Sequence, residues 1–206
     1  MDLIKKILIL AVLMFSMTWI YSQDTESLQA AFEESYTFET DGNYADAIKI
    51  LKTTYDPSSY HLNARLGWLS YLSGQFTESA AYYQKAIELK PYALEARFGL
   101  IYPASAMGNW AQVKEQYIKI LELDPQNTKA NYYLGLMQYE IGDFGQAIKH
   151  FEKVANLYPF DTESVLMFAW SNFQLGKTRE AEVLFNEVLM LDPGNESAKE
   201  GLGLIK

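Results

Sequence analysis

The sequence predicts an all-α chain made of tandem helix-turn-helix repeats, and three observations carry that prediction. Gly42, Gly74, Gly108, Gly142 and Gly176 recur at steps of 32, 34, 34 and 34 residues, a period that marks a repeat array. Fixed offsets after each glycine hold residues of one helical face: Ala47, Ser79, Val113, Ala147 and Ala181 at five, then Leu51, Tyr83, Tyr117, Phe151 and Phe185 at nine. Pro91, Pro125, Pro159 and Pro193 stand seventeen residues after four of the five glycines.

From the N-terminus, the first element differs from the rest. Lys5 and Lys6 precede an apolar run from Ile7 to Ile20, followed by Tyr21, Ser22, Gln23 and the acidic stretch Asp24-Thr25-Glu26. This is the order of a signal peptide, and cleavage after Ser22 is expected to release residues 23–206. The alternative is an uncleaved anchor, for which the run is short against the ~20 residues of a bilayer span. Export to the periplasm or cell envelope of a bacterium, or secretion, follows from this reading. The 17 basic and 26 acidic residues give a net charge of −9, and loss of Asp2, Lys5 and Lys6 takes it to −10. Nucleic acid and anionic membrane surfaces are expected to repel such a chain. Any membrane contact is expected only through an uncleaved N-terminal segment.

Within each repeat, the glycine supplies a left-handed residue that ends helix A and turns the chain into helix B. The small residue five positions later lets the two helices approach closely. The proline stops helix B, and two residues beyond it Asn127, Asp161 and Asn195 are placed to cap the next helix A. In the third repeat Pro103 falls inside helix A, where a kink is expected against the carbonyl of Gly99.

Leu134-Gly135, Gly142-Asp143-Phe144, Ala147, Phe151 and Leu157-Tyr158-Pro159 resemble the tetratricopeptide repeat over about residues 28–195. The repeats fall at about 28–59, 60–93, 94–127, 128–161 and 162–195, with a short capping helix in 196–206. Repeat 1 is two residues short, lacks the closing proline, and has Glu34 where its sisters have Leu66, Leu100, Leu134 and Phe168. An end repeat has an outer face in water and tolerates that charge. Ala198, Leu202 and Ile205 are placed to cover the last helix B. The resemblance implies a right-handed superhelical solenoid whose concave face is lined mainly by helix A.

Helix-A positions three, six and ten before the glycine therefore define the candidate partner-binding groove: Phe32, Tyr36, Trp68, Tyr71, Phe98, Tyr102, Tyr132, Tyr139, Trp170 and Phe173. Aromatics at this spacing also serve as core, and the position six before the glycine, with Trp68 and Trp170 foremost, is the one expected to face a ligand. Each large ring in such a groove contributes ~1–3 kcal/mol to holding a peptide or helix. Family members that grip a peptide's C-terminal carboxylate use cationic and amide side chains where this chain has Phe32, Tyr36, Ala64, Trp68, Phe98 and Tyr102, so that activity is not expected. Arg65, Arg97 and Lys129 are the nearby helix-A cations and are expected to be solvated surface, the alternative being that they orient an acidic partner.

The chain has no cysteine, and its two histidines, His61 and His150, lie in no metal-binding or triad-like spacing. No catalytic residue, metal or cofactor is expected. The expected function is a non-catalytic scaffold for a protein or peptide partner in the envelope, with self-association through the end repeats as a further possibility. The alternative is a carbohydrate-binding or polysaccharide-export accessory protein with groove aromatics as sugar platforms, helped by Glu39, Glu95, Glu140 and Gln174.

Overall fold

The computed structural model describes residues 25–205, so the signal-peptide segment 1–22 lies outside the described residues. Helix is the only regular secondary structure among the described residues. The helices are α1 (residues 25–40), α2 (Tyr44–Thr53), α3 (Tyr60–Leu72), α4 (Phe76–Leu89), α5 (Leu94–Ala106), α6 (Trp110–Leu123), α7 (Thr128–Glu140), α8 (Phe144–Leu157), α9 (Thr162–Gln174), α10 (Thr178–Leu191) and α11 (Glu196–Ile205). They divide into two compact units, α1 to α5 and α6 to α11, and the division falls between Met107 and Gly108, at the turn inside the third repeat.

The five phased glycines all lie in the left-handed region, with φ between 69° and 80°. At Gly42 the amide bonds back to Glu39 O at 3.0 Å and the next amide, Asn43 N, reaches Phe38 O at 2.8 Å. That paired closure satisfies the carbonyls orphaned at a helix end, and it recurs at Gly74, Gly142 and Gly176. Each helix B then starts two residues past its glycine. The expected caps form, since Asn127, Asp161 and Asn195 accept from Ala130, Ser164 and Ala198 amides at 3.0–3.1 Å. Asn43, Asn109 and Asp143 do the same for α2, α6 and α8.

The residues five and nine past each glycine are buried in every repeat, which confirms the helical register. In the first unit Ala31, Ala47, Ile48, Leu51, Leu62, Leu66 and Leu69 pack as one cluster, and Tyr83, Ala86, Ile87, Ala96 and Leu100 as the next. In the second, Val165, Ala169, Ala181, Phe185, Val188 and Ala198 do so, with Leu202 and Ile205 laid against them. The ten-residue α11 is thus a helix because tertiary burial supplies what its length does not. Glu34 is exposed, as an end repeat allows, and α2 is 10 residues long against 14 for the later helices B. Pro103 neither ends nor interrupts α5; it is buried near the helix end, and its carbonyl accepts from Met107 N at 3.0 Å.

A side chain eleven residues before the glycine holds the turn between repeats. Buried Asn131 donates Nδ2 to Pro125 O (3.2 Å) and Asn127 O (2.9 Å), and buried Asn63 donates likewise to Pro57 O (3.2 Å) and Ser59 O (2.7 Å). Arg97 reaches Pro91 O at 2.9 Å from the equivalent position. With both amide hydrogens of Asn131 engaged, its Oδ1 accepts from His150 Nδ1 at 3.0 Å. Burial, then the nearby Lys153 and Lys149, holds the His150 pKa below its ordinary value, so the ring is neutral at pH 7. Asn131→Ala strands the His150 N–H and takes one donor from each turn carbonyl, which then keep Lys153 Nζ (to Pro125 O, 3.2 Å) and the backbone amide of residue 131 (to Asn127 O, 3.0 Å), and it is expected to cost about 1–2 kcal/mol in urea unfolding. An unchanged midpoint would show that water replaces the amide.

Candidate functional site

The first unit gathers its candidate residues on three neighbouring helices A. Helical spacing sets Tyr36 and Glu39 on one face of α1, Arg65, Trp68 and Tyr71 on α3, and Phe98 and Tyr102 on α5. Arg65 crosses from α3 to α1, where its guanidinium carbon lies 3.7 Å from the Tyr36 ring centroid. Its Nη1 pairs with Glu39 Oε2, and its Nε and Nη2 both donate to Ser35 Oγ at 3.3 Å. The other Glu39 oxygen accepts from the Trp68 indole N–H at 2.6 Å. Ser35 turns its own hydroxyl onto Phe32 O at 2.8 Å.

This overturns the expectation that Arg65 is solvated surface: it is 8% exposed, because Glu39, Ser35 and Tyr36 together replace its water. Glu39, expected among polar groups for a sugar, is committed to the protein itself. Arg97 is half-buried, whereas Lys129 and His61 are exposed.

From Trp68 the aromatic row continues toward α5. Ring centroids are 5.8 Å apart for Trp68 and Tyr71, 5.4 Å for Tyr71 and Tyr102, and 6.0 Å for Trp68 and Tyr102, with Phe76 joining Tyr71 at 5.9 Å. These are favourable tilted and edge contacts, and they fix the rings before any ligand arrives. Trp68 is half-buried against the Tyr83 cluster, and Phe32 against the cluster before it. Phe98 is half-buried. The open candidates of this unit are Tyr36, beside the row on Arg65, at 54% exposure and Tyr102, within it, at 39%.

In the second unit the candidates engage separate neighbours. Trp170 packs edge-on against core Phe185 (5.0 Å) and Phe173 (5.5 Å), and its indole N–H donates to Ser197 Oγ on α11 at 2.9 Å. Tyr139 lies 5.1 Å from Phe144. Tyr132 donates its hydroxyl to Glu163 Oε2 at 3.2 Å and lies edge-on to Tyr133 and Phe151. The face position Leu136, the Trp68 equivalent here, is half-buried.

Burial and then the Glu163 carboxylate push the Tyr132 pKa up to about 12, and burial raises that of Tyr83 further. A phenol whose native pKa is raised keeps its proton while the unfolded chain, with pKa near 10, loses its own. Stability is therefore fully present below about pH 10 and falls as the pH rises toward 12. Urea midpoints are expected to drop between pH 9 and pH 11, and to drop less in Tyr132→Phe. Equal drops in both proteins would mean that Tyr132 ionises freely.

Residues 32–93 and 128–161 match the tetratricopeptide repeat family. No curated protein sequence is significantly similar to the chain. Among solved structures, the chain resembles a tetratricopeptide repeat protein from Parabacteroides merdae ATCC 43184, with TM-score 0.72 and 21% identity over 87% of this chain and 72% of that one. It also resembles MamA, with TM-score 0.70 and 19% identity over 82% of this chain and 93% of that one. A third is YrrB, described as a TPR protein with an unusual peptide-binding site, with TM-score 0.65 and 22% identity over 79% of this chain and 81% of that one. At these identities the likeness is one of fold.

Proposed function

We propose that this chain, a member of the tetratricopeptide repeat family by its matches at residues 32–93 and 128–161, is a non-catalytic scaffold that holds a protein segment on its aromatic helix-A face in the cell envelope. Tetratricopeptide repeat proteins serve as protein-interaction scaffolds, and a structural neighbour has a peptide-binding site. The observation that carries the reading is the row of rings Trp68, Tyr71 and Tyr102 fixed across α3 and α5, with Tyr36 on α1 held beside it by Arg65, and with Tyr36 and Tyr102 open to solvent. Rigid rings already packed against one another lose little entropy on binding, so their contact area converts efficiently into affinity. Arg65 is committed to Glu39 and Arg97 donates to the Pro91 carbonyl, which favours contact along a segment over capture of a terminal carboxylate. The basic and apolar N-terminal segment supports export.

A photo-crosslinking residue in place of Tyr36 or Tyr102 is expected to capture the same envelope protein, while one in place of exposed Gln84 on α4 captures none of it. Identical products from all three positions would remove the helix-A face from the binding surface. Fusion of residues 1–30 to alkaline phosphatase tests export separately, since that enzyme is active only outside the cytoplasm.

A further inference from the structure

We infer that the segment held by the α1–α3–α5 face is basic: it sets a lysine or arginine against Glu33 and Tyr36 and lays apolar side chains along Trp68, Tyr71 and Tyr102. The inference rests on the scaffold reading above and names the chemistry of its partner. Its ground is how charge is placed on this face. Between residues 25 and 40, α1 carries Glu26, Glu33, Glu34 and Glu39 and neither lysine nor arginine. Glu39 is neutralised internally by Arg65, which leaves Glu26 and Glu33 exposed on the side of α1 that carries Tyr36, with Glu34 on the opposite, end-repeat face. Glu95 adds an exposed carboxylate on α5.

Glu33 stands one turn before Tyr36, so the two share a side of α1, and both are exposed. Arg65 covers one side of the Tyr36 ring and holds it in place. A partner's basic side chain can then run its methylenes along the phenol and place its charge at the Glu33 carboxylate. Beyond Tyr36, Glu39 and Arg65 cancel each other, and the surface becomes the neutral ring row. An acidic segment would meet the exposed Glu26 and Glu33 carboxylates of α1, while Arg65 is already paired with Glu39 and Arg97 donates to the Pro91 carbonyl. The polarity of the site is therefore charge at α1 and rings toward α5.

Selection of displayed random twelve-residue peptides on the purified protein tests this. Enriched peptides are expected to carry an excess of lysine or arginine beside apolar residues, and to be lost when selection is repeated on Tyr36→Ala/Tyr102→Ala. The best peptide, measured by fluorescence anisotropy, is expected to bind Glu33→Gln about fivefold more weakly at low salt, and to weaken as salt is raised. Enriched peptides that need Tyr36 and Tyr102 but are neutral or acidic overturn the basic partner and leave the scaffold reading standing. Peptides indifferent to both tyrosines, or no enrichment at all, overturn the scaffold reading and this inference with it. A dimer in sedimentation that Tyr36→Ala dissolves puts a second copy on the face and overturns the inference too. Circular dichroism of each variant identifies any loss that comes from unfolding.

Discussion

Glu39→Ala is expected to destabilise the protein by about 3 kcal/mol, the lower end of the ~3–5 kcal/mol that follows when one member of a buried ion pair is removed. The lower end applies because the Glu39 side chain is 23% exposed, although that of Arg65 is only 7% exposed. The substitution leaves the guanidinium with Ser35 Oγ and the Tyr36 ring alone, and strands the Trp68 indole N–H. At roughly 2–4 °C per kcal/mol for a chain of this size, the melting midpoint is expected to fall by about 6–12 °C. Replacing both partners, as Glu39→Leu/Arg65→Met, is expected to cost less than the sum of the two single changes, because no charge is then left buried. Additive costs in denaturant unfolding would show that Glu39 and Arg65 are not coupled. The pair also ties α1 to α3 beneath Tyr36, so Glu39→Ala is expected to weaken peptide binding through loss of ring placement.

Gly99→Ala is expected to cost about 3 kcal/mol, at the upper end of overpacking penalties. A Cβ at this position would lie 2.1 Å from Tyr83 Cε1 and 2.5 Å from Cζ. The ring has no room to retreat, because its other side meets Gly67 on α3, where a Cβ would already stand at 2.9 Å. Tyr83 is thus clasped between α3 and α5, and separating them opens the ring row that Trp68, Tyr71 and Tyr102 form on the same two helices. Gly203 provides the contrast. It lies inside α11 with nothing within 4 Å of a Cβ, so Gly203→Ala is expected to stabilise by up to about 1 kcal/mol through helix propensity alone. Thermal melts of the two variants side by side check both; a neutral Gly99→Ala would mean that α5 shifts away without cost.

Much of the fold was legible because its signals are local and repeated. A glycine needing positive φ, a capping Asn or Asp and a proline two residues past a helix act through their own backbone, and five near-copies raise each above coincidence. Buried small residues at Ala47, Ser79, Ala147 and Ala181 followed from the same phase. The face carrying the candidate rings was legible for the same reason. Which rings stay open was not. Trp68 and Trp170 stood foremost in sequence, yet both are half-buried with their N–H groups bonded to Glu39 and Ser197, and the open candidates of the first unit are Tyr36 and Tyr102. Indoles bury easily when a partner for the N–H is nearby, and that partner lies on another helix.

The sequence by itself determined the helices, their turns, the register of each repeat and the helical face on which a partner would be sought, since all of these depend on neighbours within one or two turns. Only the tertiary structure decided that Arg65 is spent on Glu39, 26 residues away, that Asn63 and Asn131 hold the turns, and that Gly67 and Gly99 clasp Tyr83. The ion pair and the ring clasp join groups on different helices, while the asparagines recur eleven residues before Gly74 and Gly142 but act on carbonyls that only the folded turn presents. Which side chains are buried and which rotamers they take is set by packing, which a hydrophobic period alone does not encode.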